Sequence, residues 1–448
     1  MFQNVKEGCV KLFDFLPQNK KYIGAFFVIT ILAVVALLMT GMFHEWNDVY
    51  LYFEYSSNIF NGQMPYRDFV FEYPPFTIPF ILIPRFFTTD LQIYCTLFSV
   101  MTLIFFLLGT VFLLKIAKHF GTTNVRILIF ATVTLVMMNT LVFARNDIIP
   151  ITICIIGVYL YLQKRYNLAW IVIAIGAMTK LFPILFLPMF LIPLIIRKDY
   201  RNAIRGIILA LTVAVLISLP FIISDISTAF DYLVYHSERG IQIESIVSSM
   251  ILMTNLFDPG LVHVVFDYGS YNLVGSIPEA MEPFMMPMLM AAVLVFLLWL
   301  LVALYRKRES IEHDNIRKII VIGGVILFLI FLTFNKVFSA QFVIWVLLLT
   351  ALTQIDLFDT EKRDRITKIV VIYAILSGIT ATSYSMLIEL NGFLVVILFA
   401  RNMLHIVFTG YLIYILAQTI DQLAPEDKQV GIRALAHGLK GKMFNSRQ

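Results

Sequence analysis

Two carboxylates and a few isolated cations interrupt a very apolar sequence. The stretch "NDVYLYFEYSSNIFNGQMPYRDFVFEYPPF" contains Asp48 and Asp68, while Arg145, Lys180, Arg239 and Lys336 stand apart from the other basic residues. A carboxylate can accept the proton of an attacking hydroxyl, and cations can hold a departing phosphate. These residue types therefore suit transfer of a sugar from a lipid phosphate to a hydroxyl acceptor. Asp48 and Asp68 are the candidate bases, although a helix N-cap or a loop salt bridge accounts for either one as well, and Arg67 can pair with Asp68. Each cation taken alone can be a helix-end residue snorkelling to lipid headgroups. Taken as a set, they can converge on one positive chamber that receives an anionic headgroup.

Tyr52 lies one helical turn after Asp48, and Tyr55 continues that stripe. A carboxylate beside aromatic rings is a common way to hold a sugar, and an interfacial aromatic belt explains the same tyrosines. A second polar stretch, "YHSERGIQIES", adds His236 and Glu244 around Arg239. The histidines show no metal-ligand spacing, and neither a phosphate-binding loop nor a dinucleotide fingerprint is present, so no cofactor is expected. Divalent cation binding by outer carboxylates stays open.

These residues must be positioned by membrane-spanning helices. Of 448 residues 60% are hydrophobic and 14% charged, with a mean hydropathy of +0.85, which excludes a soluble protein built on one core. Residues 22–42 form an apolar run long enough to cross a hydrocarbon layer of about 30 Å. Lys20 and Lys21 precede it and no cleavage site follows, the pattern of a retained anchor. Further runs fall near 91–114, 126–144, 148–163, 168–179, 181–196, 203–223, 284–305, 317–334, 337–353, 366–386 and 393–416, for about twelve spans in all. The fold class expected is an all-α polytopic membrane protein.

Lys and Arg cluster between these runs, which orients a membrane protein and gives the net charge of +5 a reason other than nucleic acid. The clusters share one side only if both termini are cytoplasmic. That parity makes residues 1–21 and 417–448 cytoplasmic tails around one domain over 22–416. It turns 168–196 into a hairpin near Lys180 and Pro183, and it leaves 43–90 and 224–283 as long outer loops. The first loop should open with an amphipathic helix whose apolar stripe is Trp46, Val49, Tyr50, Phe53, Ser57 and Phe60. Residues 76–87 cannot cross and should be interfacial or re-entrant. The three cysteines imply no disulfide framework.

In order and spacing, Asp48, Tyr50, Gly62, Pro65, Tyr66, Tyr73, Pro74 and Pro75 resemble the first outer loop of glycosyltransferase family 87, a group of polytopic GT-C glycosyltransferases. "RNDIIP", "MTKLFPILFLP", "NKVFSAQFVIW" and "YHSERGIQIES" extend the resemblance over about residues 40–350. It implies a membrane enzyme that uses a polyprenyl-phosphate-linked sugar, with mannose as the sugar and catalysis on the outer face. The family's catalytic aspartate falls on Asp48, with Asp68 as a companion. Arg145, Lys180, Arg239, Lys336 and His236 would hold the donor phosphate, and Tyr52, Tyr66, Glu244 and Gln341 would line the substrate site. The acceptor would be a lipid or glycan hydroxyl. Some members carry a His-His pair where this chain has Lys336 and Gln341, so the acceptor stays open.

Two rival readings remain. A polysaccharide polymerase or ligase would centre its chemistry on His236 and Arg239. A lipid or solute transporter would call for inverted repeats and mid-membrane charge, for which Arg401 and His405 are the candidates.

Overall fold

The computed structural model describes residues 20–40, 48–120 and 124–423. The molecule is 77% helical. Helix α1 spans Lys20–Thr40. Helices α2 (Asp48–Phe60) and α3 (Ile78–Arg85) come next, followed by α4 (Leu91–His119), α5 (Asn124–Met137), α6 (Asn139–Ala144), α7 (Ile148–Leu162), α8 (Tyr166–Thr179), α9 (Phe186–Ile196) and α10 (Tyr200–Ser224). The stretch after α10 holds α11 (Asp231–Ser237), α12 (Ile246–Asn255) and an antiparallel hairpin, β1 (His263–Asp267) and β2 (Ser270–Val274). Helices α13 (Ser276–Arg306), α14 (His313–Phe334), α15 (Phe342–Thr350), α16 (Thr360–Thr382), α17 (Tyr384–Ile388) and α18 (Gly392–Gln422) complete the bundle.

Among the described residues six helices are long and apolar enough to cross a membrane: α4, α10, α13, α14, α16 and α18. The other expected spans fall on shorter helices. The run 126–144 breaks at Met138 into α5 and α6, and α7 and α8 have 15 and 14 residues. At 1.5 Å per residue these last two cover about 22 Å, less than a hydrocarbon layer. The turns at Arg145 and Lys180 are therefore recessed into the protein. Helix α14 is the axis of the bundle, with 89% of its apolar window buried, whereas α10 and α13, at 17% and 22%, turn most of their surface outward.

Two expectations change. The buried stripe of α2 is Val49, Tyr52, Tyr55 and Ser56, while Tyr50 and Phe60 are exposed and Trp46 lies outside the described residues. The loop folds back over α4 and covers the aromatic side of α2. The hairpin is the second change, because the chain is not purely helical. Its register pairs Asp267 with Ser270 across Tyr268 and Gly269, both at positive φ, the two-residue turn that matches strand twist. Helix α3 has eight residues, too short to cross, in line with an interfacial segment.

Candidate active site

Asp48 opens α2 at its N-terminus. Its Oδ2 forms an ion pair with Arg145 Nη1 and accepts from the hydroxyls of Tyr52 and Tyr73, both at 3.4 Å. Tyr52 and Tyr73 approach each other within 3.5 Å, and Tyr52 Oη accepts from the backbone N–H of Asn146 at 3.4 Å. Burial raises both phenols well above their ordinary range, with the charge of Asp147 acting next on Tyr52 and that of Glu72 on Tyr73. Both therefore stay protonated and can donate to the carboxylate.

Arg145 and Lys180 reach the site because their helices stop. Each residue adopts an extended backbone at a helix C-terminus, which turns its side chain toward α2. Lys180 Nζ donates to Asp147 Oδ1 at 2.7 Å and lies 5.1 Å from the ring centroid of Trp345. Asp147 is fully buried, and its Oδ2 has no hydrogen-bond partner among the described residues. The Thr77 hydroxyl donates to the Thr179 carbonyl at 2.6 Å, fastening the first loop to the end of α8.

The segment between α10 and α13 closes the far side. Arg239 Nη2 donates to Glu72 Oε2 at 3.0 Å. Gly269, at the hairpin tip with φ +68°, sits against this pair: a Cβ there would meet Tyr235 Oη at 3.2 Å and Glu72 Oε2 at 3.5 Å. Lys336, just past α14, donates to Glu282 Oε1 at 2.9 Å, and its carbonyl accepts from the Gln242 backbone N–H at 2.9 Å. Gln242 Nε2 also donates to Ser339 Oγ at 2.7 Å, so the loop before α15 is stitched to the segment between α10 and α13.

One cavity of about 400 Å³ joins these groups. Its polar wall is Asp48, Glu72, Arg145, Lys180, Arg239, Lys336, Ser339 and Gln341, and its apolar wall includes Phe182, Leu185, Met286, Leu289, Phe331, Phe342 and Trp345. A second hollow of about 330 Å³ shares Met286, Leu289, Asn335 and Lys336 with it and continues between α13 and the end of α14. The arrangement sets a carboxylate and several cations beside an apolar hollow.

The sequence-derived candidates divide. Asp48, Arg145, Lys180, Arg239, Lys336 and Gln341 line the cavity, and Tyr52 supports Asp48 from below. Asp68 does not join them. It pairs with the exposed Arg67 at 2.8 Å and accepts from the Met64 N–H, and these bonds hold its carboxyl down at about 2. Tyr66 is also apart: at φ +69° its hydroxyl donates to the Tyr73 carbonyl at 2.6 Å, and its ring lies among Phe71, Phe221 and Tyr232. Glu244 is buried behind the cavity wall, where it accepts from the Ala340 N–H at 3.1 Å and faces Arg401 at 3.7 Å. The His236 side chain lies outside what the structure describes. Sequence reasoning left out Asp147, Glu72, Tyr73, Asn146 and Trp345 as site residues. Asp147 was visible in "RNDIIP", next to a cation already singled out.

The chain is thus a polytopic α-helical membrane protein with a carboxylate and several cations around one recessed cavity. Residues 71–330, more than half of the chain, match the sequence model of Glycosyltransferase family 87, and the chain belongs to that family. It is thus a membrane glycosyltransferase. The matched region begins after Asp48 and ends before Lys336. No curated protein matches the chain.

Proposed function

We propose that the protein moves a sugar from a polyprenyl-phosphate donor to a lipid or glycan hydroxyl, with inversion and with Asp48 as the general base. The observation that carries this reading is the single cavity in which Asp48 faces Arg145, Lys180, Arg239 and Lys336 beside an apolar hollow. A donor phosphate would sit among the cations, and its isoprenoid chain would leave along Met286 and Leu289 between α13 and α14. The acceptor oxygen bonds to the anomeric carbon while its proton passes to Asp48. The bond from that carbon to the phosphate oxygen breaks, and polyprenyl phosphate departs with the electron pair. Arg145 and the two phenols hold the Asp48 carboxylate in place. Mannose as the sugar and an outward-facing site follow from the resemblance and the charge parity.

Purified protein supplied with labelled polyprenyl-phosphate-mannose and a lipid extract as acceptor should release polyprenyl phosphate and form a product extended by one sugar. Transfer from a nucleotide sugar alone, or of preassembled glycan blocks, would contradict the reading.

A further inference from the structure

The opposite end of the α7–α8 hairpin carries a second built cavity that the transfer reaction does not use. Asp147 precedes α7 at the catalytic end, and fifteen residues later Leu162 ends it, about 22 Å away at the helical rise. There a cavity of about 460 Å³ is walled by Lys164, Arg165, Arg197, Arg205 and Arg317. Its floor is aromatic: Tyr161 stacks on Phe190 with centroids 4.3 Å apart and planes 3° from parallel, and Trp170 stands edge-on to Phe190. Trp170 fits because α10 has Gly206 beneath it, where a Cβ would meet the indole at 2.4 Å.

The charge in this cavity is unbalanced. Arg317 is committed, since it donates to the Leu162 carbonyl at 2.7 Å and pairs with Asp314. Asp199, the acidic residue of the wall, caps α10 and accepts from the Asn202 side chain at 2.8 Å. Lys164, Arg165, Arg197 and Arg205 form no ion pair within 4.0 Å among the described residues, and Arg197 instead meets His313 Nδ1 at 2.6 Å. Basic loops that merely orient a membrane protein need neither a cavity nor an aromatic floor. Beside Arg205, the exposed residues Ile204, Ile208, Leu211 and Val215 form an apolar stripe up α10 at helical spacing.

We infer that this cavity binds the phosphate headgroup of an anionic phospholipid, with the acyl chains lying along the α10 stripe. Guanidinium forks suit phosphate oxygens, and basic pockets between membrane helices are a known way to hold anionic headgroups. The adjoining stripe favours a lipid over free phosphate, because it offers a surface for the chains. The bound lipid is separate from the transfer substrates, since it sits at the other end of the hairpin.

The test is retention of labelled phosphatidylglycerol and phosphatidylcholine by the purified full-length protein, read by native mass spectrometry. Wild-type protein should retain phosphatidylglycerol at least tenfold more than phosphatidylcholine. Arg197→Gln with Arg205→Gln should abolish that preference, and Arg197→Lys with Arg205→Lys should restore most of it. Arg205→Gln alone, at an exposed position on α10, should give a smaller loss of about threefold if the double variant does not fold. Equal retention of the two lipids by wild type, or an undiminished preference in both Gln variants, would overturn the inference. So would inorganic phosphate at millimolar concentration that binds lipid-free protein and is not displaced by phosphatidylglycerol.

Discussion

Asp48 and Arg145 form an ion pair at the mouth of the cavity, although nearly a hundred residues and several helices separate them in sequence. The pair joins the start of α2 to the broken span before α7. It also sets a guanidinium against a carboxylate in a cavity with apolar walls, where the ion pair offsets part of the lost hydration. Replacing Arg145 with Ala should lower sugar transfer about 100-fold, and Arg145→Lys should recover part of it by restoring charge without the planar fork. Steady-state kinetics on the purified variants decide this, and a fully active Arg145→Ala would remove the residue from the site.

The phenols of Tyr52 and Tyr73 aim the same carboxylate. Because burial keeps both protonated, their contribution should not titrate across the neutral range. Tyr52→Phe and Tyr73→Phe should each slow transfer about tenfold, in keeping with a hydrogen bond to a charged group. Their rate-versus-pH profiles should run parallel to wild type between pH 6 and about 9. A profile that changes shape in either variant would mean that the phenol itself exchanges protons.

Lys180 and Asp147 form the buried pair beneath the cavity. Removing either partner strands a charge in an apolar setting, which costs about 3 kcal/mol or more. Asp147→Asn and Lys180→Met should each lower the melting temperature sharply, whereas the double variant should lose clearly less than the two combined. A double-mutant cycle on thermal unfolding in detergent measures the coupling, and simple additivity would show that the two groups are held independently.

How much of this was legible beforehand depends on the range of the interaction. The spans over α4, α10, α13, α14, α16 and α18 announce themselves by length and hydropathy, and the aspartate of the first loop by local pattern. The partners of the cations were not readable. Arg239 finds Glu72 across 167 residues and Lys180 finds Asp147 across 33, and only the packed bundle brings them together. Asp68 misled for the opposite reason: its neighbour Arg67 and the Met64 N–H satisfy it locally, leaving nothing to point inward. The hairpin lies in residues 224–283, for which only a long loop is expected, although "FDYGSY" carries the turn chemistry of a two-residue connection.

Gly269 ties that hairpin to the site. Its positive φ and the closeness of Tyr235 and Glu72 leave no room for a branched side chain. Gly269→Val should cost about 1–3 kcal/mol of stability from backbone strain. It should also displace Arg239 from Glu72, raising KM for the lipid-linked donor more than it lowers kcat. An unchanged KM would separate the hairpin tip from donor binding.

Glu244 provides a pH signature. Burial first, partly offset by Arg401, raises its carboxyl from about 4.5 to about 7. The folded protein therefore keeps this proton at pH values where an unfolded chain has lost it. The resulting stabilisation is full below about pH 4.5 and is lost as pH rises through about 7. The melting temperature should fall between pH 5 and 8, and Glu244→Gln should flatten that fall. An identical slope in wild type and variant would assign the pH dependence to another group.

The central claim is that Asp48 takes the proton of the acceptor. The most direct measurement is single-turnover sugar transfer by Asp48→Asn, with donor affinity measured on the same preparation. The account predicts a loss of about 10²–10⁴ in the rate of transfer, the usual contribution of a general base, with donor affinity within a few-fold of wild type. Transfer at near-wild-type rate by a folded Asp48→Asn protein would contradict it.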